Sequence, residues 1–282
     1  MSLIGQYATL PVVNIMDFGV YLDAGELGEV LLPKKYCKED YQIDDQIDVF
    51  IYLDSDDLPI ATTHKPKATV GQFAYLEVTD AGRFGAFLDW GLAKDVLVPF
   101  AEQHKPLEVG QSYLVYLYID DIDHRITASS KIDKFLEEDG TKKFKANQKV
   151  DLIIANTTDL GIKAIVNHSH WGLIHKSDIF DRLSFGQSKT GFIKQVRPDG
   201  KINLSFDGGQ VSRDRNAQLV INFLNKNNGF APFHDKSDPK VISRVFGISK
   251  AAFKKAIGGL YKSGDLKIEK NGITLINKKS EI

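Results

Sequence analysis

The chain writes one phrase twice. Asp17-Phe18-Gly19-Val20-Tyr21-Leu22-Asp23 returns as Arg83-Phe84-Gly85-Ala86-Phe87-Leu88-Asp89, and its context returns with it: Gly28-Glu29-Val30-Leu31-Leu32-Pro33 follows the first copy, and Lys94-Asp95-Val96-Leu97-Val98-Pro99 the second. Each unit then passes through a turn, an apolar run (47–53, 113–119), an acidic turn and a short closing strand (59–63, 125–129). A more divergent third copy occupies about 142–206 and reads Asp159-Leu160-Gly161-Ile162-Lys163-Ala164, then Gly172-Leu173-Ile174-His175-Lys176-Ser177, then Lys201-Ile202-Asn203-Leu204-Ser205-Phe206. A period of roughly 65 residues is too long for a solenoid unit and long enough for a small domain with its own core.

Within the first unit, short alternating runs at 6–14, 19–23, 29–31, 48–53 and 60–63 are separated by Gly, Asp and Pro turns. That punctuation predicts a small all-β barrel and argues against βαβ units. Five strands at this size match the OB architecture, whose strand 2 and 3 face binds oligonucleotides. The phrase falls on that face. Its glycine lets the strand bend or another backbone approach. The flanking rings, Phe18 with Tyr21 and Phe84 with Phe87, have two readings: they stack on unpaired bases, or they fill the barrel, since β propensity also favours aromatics.

Charge divides the chain. The formal net charge is −1, yet residues 1–130 hold 9 Lys and Arg against 21 Asp and Glu, a net −12, while 131–282 hold 27 against 16, a net +11. A polyphosphate is repelled by the first half and attracted by the second, so nucleic-acid affinity is expected after Lys131. The asymmetry would equally serve solubility or contact between the halves, and the acidic half is a candidate surface for a protein partner. No run of about 18 apolar residues and no basic-then-apolar leader is present, so no membrane association is expected. The single cysteine, Cys37, agrees with a cytoplasmic protein and reads as a structural or surface thiol, not a nucleophile.

The third copy trades rings for cations. Residues 142–207 hold 11 basic and 6 acidic residues, a net +5. Lys163, His175, Lys176, Lys189, Lys194, Arg197 and Lys201 are its candidate nucleic-acid contacts. His168, His170 and His175 invite a metal reading, because histidines at i and i+2 share a strand face; with no cysteine or placed carboxylate to complete a set, no metal is expected. Ile132, Phe135 and Leu136 predict a short helix in the stretch 131–140.

After Gly208-Gly209 the apolar period changes from two to 3.6. Ala217, Val220, Ile221 and Leu224 mark one helix, Asp238-Pro239 opens a second that stops at Gly247, and Ser249 caps a third over 250–262. A hairpin with an Asn271-Gly272 turn closes the chain. Three helices and a hairpin look like a winged helix domain. On the third helix Phe253, Ile257 and Leu260 face one way while Lys255 and Lys262 face roughly opposite, with Lys254 to one side; with Lys250 these are further candidate contacts. Residues 213–282 hold 14 Lys and Arg against 6 Asp and Glu, a net +8.

The phrase Phe84-Gly85-Ala86-Phe87-Leu88-Asp89, the segment Gly172 to Ser177 and the closing Arg125-Ile126-Thr127-Ala128-Ser129 strand resemble the S1 RNA-binding domain, an OB-fold module. Such domains place two aromatics on strand 2 and a histidine after strand 3. The first two copies keep the rings and show Leu31 and Leu97 where the histidine is expected; the third keeps His175 and shows Leu160 and Lys163 in place of the rings. Three S1-like repeats with a winged helix resemble the bacterial conserved virulence factor B family, which implies RNA binding and post-transcriptional control of gene expression, virulence factors included. The expected fold is mainly β and multidomain: three tandem S1-type OB-fold five-stranded barrels (1–64, 65–130 and 142–207, with a linker at 131–141), then an α+β winged helix domain at 212–282. The expected partner is single-stranded RNA. Duplex DNA, bound by a transcription regulator through the winged helix, is the alternative. No catalytic motif is present, with no Walker loop, no Gly-x-Ser-x-Gly and no His-Glu-x-x-His, so no enzyme activity and no cofactor are expected.

Overall fold

The computed structural model describes residues 3–38, 40–179, 182–206 and 210–276. In the first barrel, β1 (Tyr7–Met16), β2 (Gly19–Asp23), β3 (Glu29–Pro33), β4 (Gln46–Leu53) and β5 (Pro59–Thr62) close in the order β1-β2-β3-β5-β4. β3 and β5 run parallel and the other pairs antiparallel. The second barrel repeats this with β6 (Phe73–Gly82), β7 (Gly85–Asp89), β8 (Val96–Pro99), β9 (Ser112–Ile119) and β10 (Ile126–Ser129). The third does so with β11 (Lys149–Thr157), β12 (Gly161–Val166), β13 (His170–His175), β14 (Ser188–Val196) and β15 (Ile202–Ser205). Three closed five-stranded barrels bear out the mainly β reading.

The chain forms two compact units. One is Met1–Glu137 with Ile153–Ala155 and Ser184–Ser188; the other comprises the rest of the third barrel and the C-terminal helices and strands.

Inside the first unit the two barrels share a core, and the sequence of β4 shows why. Ile47, Val49 and Ile51 fill the first barrel, while Phe50 and Tyr52, on the opposite face of the strand, are buried in the cluster of the second. A strand buried on both faces reads as a continuous apolar run and not as an alternating one. Phe50 and Tyr52 meet the Trp90 ring at centroid distances of 5.7 and 6.4 Å, and the Trp90 carbonyl accepts from the Lys67 N–H at 2.7 Å. Between the same two barrels the Asp57 carboxylate takes the Lys94 ammonium at 2.9 Å and the Arg125 guanidinium at 2.5 Å. Those two partners, the Lys94 hydrogen bond foremost, hold the Asp57 carboxyl below its ordinary pKa.

The stretch 131–140 does not make the expected helix. It forms a single 3-10 turn at Ile132–Phe135. Phe135 stacks on Tyr116 with centroids 4.1 Å apart and planes 24° apart, and Lys134 pairs with Glu102 at 2.6 Å. This tertiary anchorage on β9 outweighs the weak helical preference of a ten-residue segment.

The C-terminal region contains α1 (Gln210–Lys226), β16 (Phe230–Ala231), α2 (Pro239–Phe246), α3 (Lys250–Lys262), β17 (Leu266–Glu269) and β18 (Gly272–Leu275). Val220, Leu224, Ile242, Phe246, Phe253, Ile257, Leu260 and Ile273 make its core. Asp238 caps α2, accepting from the Lys240 N–H at 2.8 Å; Gly247 ends it at φ +67°; Ser249 caps α3 through the Ala252 N–H at 3.1 Å. The hairpin differs from expectation in its turn. Glu269 pairs with Gly272, so the loop is Lys270-Asn271, neither with positive φ, and Gly272 belongs to the strand. A third strand, β16, pairs with β18, and a Cβ on Gly272 would sit 2.2 Å from the Ala231 carbonyl oxygen. The glycine serves that close approach, not the turn.

Candidate nucleic-acid interface

The same glycine recurs in each barrel at the start of the second strand. Gly19, Gly85 and Gly161 have φ between +150° and +157°, and a Cβ on them would lie 2.3, 2.2 and 2.0 Å from the carbonyl oxygens of Leu32, Val98 and Ile174. Met16 pairs with Gly19 and Gly82 with Gly85, so the first two hairpins turn through two residues, and the ring before the glycine is exposed. Phe18 is 57% exposed and Phe84 60%; Leu160, at the corresponding place, is 67% exposed. These residues sit in the turns, not on the strands. Phe18 meets Tyr21 edge-on at 6.3 Å, and the Arg83 guanidinium lies 4.7 Å from the Phe84 ring centroid.

Across each hairpin, Tyr21 opposes Leu31, Phe87 opposes Leu97 and Lys163 opposes Leu173. Leu31 and Leu97 are therefore counterparts of Leu173. The position of His175, which opposes Gly161, is filled by Pro33 and Pro99 in the other barrels. Matching Gly28 to Gly172 is misleading, because Gly28 ends a 3-10 turn at φ +74° whereas Gly172 points into the third barrel against Leu204.

On the third barrel the outward face of β12, β13 and β15 brings together Lys163, Trp171, Leu173, His175 and Asn203. The Lys163 ammonium lies 4.0 Å from the Trp171 ring centroid, and His175 Nε2 lies 3.2 Å from Asn203 Oδ1. Trp171 and Asn203 escaped the sequence reading; the period-two run Trp171, Leu173, His175 was the available signal. The three histidines separate. His168 occupies a turn at φ +51° with burial lowering its pKa, His170 is buried edge-on to Phe144 at 5.0 Å, and His175 is half-exposed at the end of β13. Among the described residues no group of three His, Cys, Asp or Glu side chains is placed to hold a metal ion.

The remaining cations are dispersed. Lys176 is exposed after β13. Lys194 pairs with Asp178 at 2.7 Å and Arg197 with Asp199 at 3.0 Å, with Lys201 at the end of the same turn. The Lys189 ammonium sits 4.5 Å from the Phe206 ring centroid. On α3, Lys254, Lys255 and Lys262 are exposed opposite the buried Phe253, Ala256, Ile257 and Leu260, and Lys250 is half-buried at the first turn. Cys37 is half-buried with its thiol pKa raised, chiefly by burial. Among the described residues no helix is long and apolar enough to cross a membrane.

Comparison with known proteins agrees with this geometry. An S1 domain model matches residues 4–64 and 70–131, and a CvfB-like winged helix model matches 218–275. Neither describes a catalytic family. A Bacillus subtilis relative, uncharacterized protein YitL, is 31% identical over 97% of this chain and 94% of its own length. Conserved virulence factor B of Staphylococcus epidermidis is 29% identical, covering 98% of this chain and 96% of that protein, and its Staphylococcus aureus counterpart is 29% identical over 98% and 95%. A Streptococcus pneumoniae crystal structure, described as a multidomain protein with nucleic acid binding domains, aligns over 97% of this chain and 99% of its own with 25% identity and a TM-score of 0.41. With S1 domains in tandem, a CvfB-like winged helix and relatives similar from end to end, the chain belongs to the conserved virulence factor B family.

Proposed function

We propose that this nucleic-acid-binding regulator is a non-catalytic, cytoplasmic protein that binds single-stranded RNA through its basic half and acts on gene expression after transcription, virulence factors among its outputs. The reading rests on the contrast between faces. The third barrel offers Lys163, Trp171, His175 and Asn203 on an OB binding surface within a segment of net +5, followed by a winged helix segment of net +8. The equivalent faces of the first two barrels carry rings inside a segment of net −12, where a phosphate chain is repelled. Lys163, Lys176, Lys189 and Lys201 with Lys250, Lys254, Lys255 and Lys262 would grip phosphates, and His175 would face the strand. Lys194 and Arg197 would each exchange a carboxylate for a phosphate. Phe18, Tyr21, Phe84 and Phe87 supply stacking surface of secondary weight, and the acidic half remains open to a protein partner.

The test is fluorescence anisotropy of labelled single-stranded RNA and duplex DNA of equal length against the full chain at two salt concentrations. RNA should bind more tightly, and with about eight phosphate contacts the logarithm of affinity should fall with log salt at a slope of about −5.6. Preference for the duplex would instead make the protein a DNA-binding transcription regulator. The labelled RNA should stay intact with magnesium or manganese; accumulating cleavage would contradict a non-catalytic role.

A further inference from the structure

The strand that opens the first barrel outruns its neighbour. β4 pairs with β1 over Tyr7–Pro11, so Val13 to Met16 project beyond it with β2 alongside. Ile43 reaches the same edge, because the next residue, Asp44, donates its N–H to the Val12 carbonyl at 2.9 Å and the Asp45 carbonyl accepts from the Val12 N–H at 2.9 Å. Val13, Ile15, Met16 and Ile43 are exposed, by 38–50%.

The other two barrels make the same hydrogen bonds with different side chains. Gly110 and Gln111 take the places of Asp44 and Asp45 against Val78, and Gly186 and Gln187 take them against Ile154. Met16, Gly82 and Thr158 each pair with the hairpin glycine of their barrel, so Ile15 and Met16 correspond to Ala81 and Gly82 in the second and to Thr157 and Thr158 in the third. The barrel fold thus accepts small or polar residues here, and of the three the first alone gathers large apolar side chains on the edge with two carboxylates beside them. A contiguous exposed apolar patch rimmed by charge marks a surface that something covers. The Ile15 N–H is capped by the Asn14 side-chain oxygen at 2.9 Å, as that of Ala81 is by Asp80 at 2.8 Å, so the edge is guarded against strand addition and a partner would meet side chains. Charge then selects the partner. Residues 1–64 hold 3 Lys and Arg against 12 Asp and Glu, a net −9, and the three lysines, Lys34, Lys35 and Lys38, all follow β3. Asp17, Asp44 and Asp45 are exposed around the apolar edge. Such a surface repels RNA and a second copy of itself and attracts a cationic segment.

We propose that the projecting edge of β1 is a docking surface for a basic segment of another protein, whose apolar side chains pack on Val13, Ile15, Met16 and Ile43 while its lysines or arginines meet Asp17, Asp44 and Asp45. The inference rests on the reading of the acidic half as open to a protein partner and deepens it, leaving RNA to the basic half.

The test uses the full chain and two variants that copy residues the other barrels already fold with. Ile15→Thr/Met16→Thr copies the third barrel, and threonine suits a strand. Asp44→Gly/Asp45→Gln copies the second. Asp44 has φ +74°, where glycine is unstrained, and Gln187 accepts from the Ser184 N–H at 3.1 Å just as Asp45 accepts from the Gln42 N–H at 2.7 Å. The probe is a labelled peptide of leucine and lysine at helical spacing, with glutamate in place of lysine as its control, read by anisotropy. Labelled single-stranded RNA is read in parallel, and sedimentation gives the oligomeric state. The basic peptide should bind the parent, about tenfold or more weaker after Ile15→Thr/Met16→Thr and about threefold weaker after Asp44→Gly/Asp45→Gln, with RNA affinity within about twofold of the parent in both. Equal peptide affinity for parent and variants would overturn the proposal, since attraction to net charge would then suffice. A parent dimer that the threonine variant dissociates would overturn it in favour of a second copy, and RNA affinity that falls with that variant would assign the edge to RNA. A parent that binds the peptide at this edge and no RNA would sink the RNA reading alone, so the two failures are distinct.

Discussion

At Gly85 the requirement for glycine is steric and absolute, since a methyl group would overlap the Val98 carbonyl oxygen. Gly85→Ala should cost about 2–4 kcal/mol, read as a lower urea midpoint of the first unit. This constraint was legible in the sequence because the same Phe-Gly phrase occurs twice; its consequence, that the preceding ring is thrown into a turn, was not, because a two-residue hairpin depends on register. Asp57 gives a pH prediction. Its folded pKa lies below the ordinary carboxylate value, held there by the Lys94 hydrogen bond and by Arg125, so the native state binds fewer protons than the unfolded chain just below about pH 4. The stability it contributes is therefore present above that pH and lost as pH falls through the folded pKa. Asp57→Asn should be less stable than the parent at pH 7, and its stability should fall less steeply on acidification between about pH 5 and pH 3. Equal acid slopes for both proteins, measured by urea denaturation, would remove Asp57 from the junction's energetics. No motif announced this residue, because its partners lie 37 and 68 positions away in sequence.

Among the elements, β4 determines how the first two barrels stand together. Its continuous apolar run was visible in the sequence, but the second face it buries was not, because Trp90 and the second barrel supply that face. Trp90→Ala should cost about 3–5 kcal/mol and resolve one unfolding transition of the first unit into two, as seen by differential scanning calorimetry. A single transition with unchanged midpoint would mean that the shared rings do not couple the barrels. The C-terminal hairpin teaches the converse. Its strands were readable from alternation, yet the Asn-Gly turn signal belonged to another requirement, the passage of β16 beside Gly272. Gly272→Ala should therefore loosen β16 against β18 and raise hydrogen exchange at the Ile273 amide, which pairs across from Ala231, by tenfold or more.

For the whole molecule, charge was the most informative global property, and it required only counting. Three barrels followed by a winged helix could be read from periodicity and repeat, whereas the dispersal of the third barrel's cations could not, because Lys194 and Arg197 find carboxylates only once the 3-10 turn at Lys176–Asp178 and the β14–β15 hairpin are folded. The same limit hid Trp171, whose partnership with Lys163 depends on β12 and β13 lying side by side. The central claim is that RNA is held by the basic half and that the rings of the acidic half are secondary. It is tested most directly by measuring, at low and at moderate salt, the affinity of labelled single-stranded RNA for the full chain, for Lys254→Glu/Lys255→Glu and for Phe18→Ala. The lysine reversals should weaken binding by about tenfold or more at low salt and make the salt slope shallower, while Phe18→Ala should change affinity by less than about twofold. Equal losses in the two variants, or a larger loss from Phe18→Ala, would contradict the claim and move the RNA site to the first barrel.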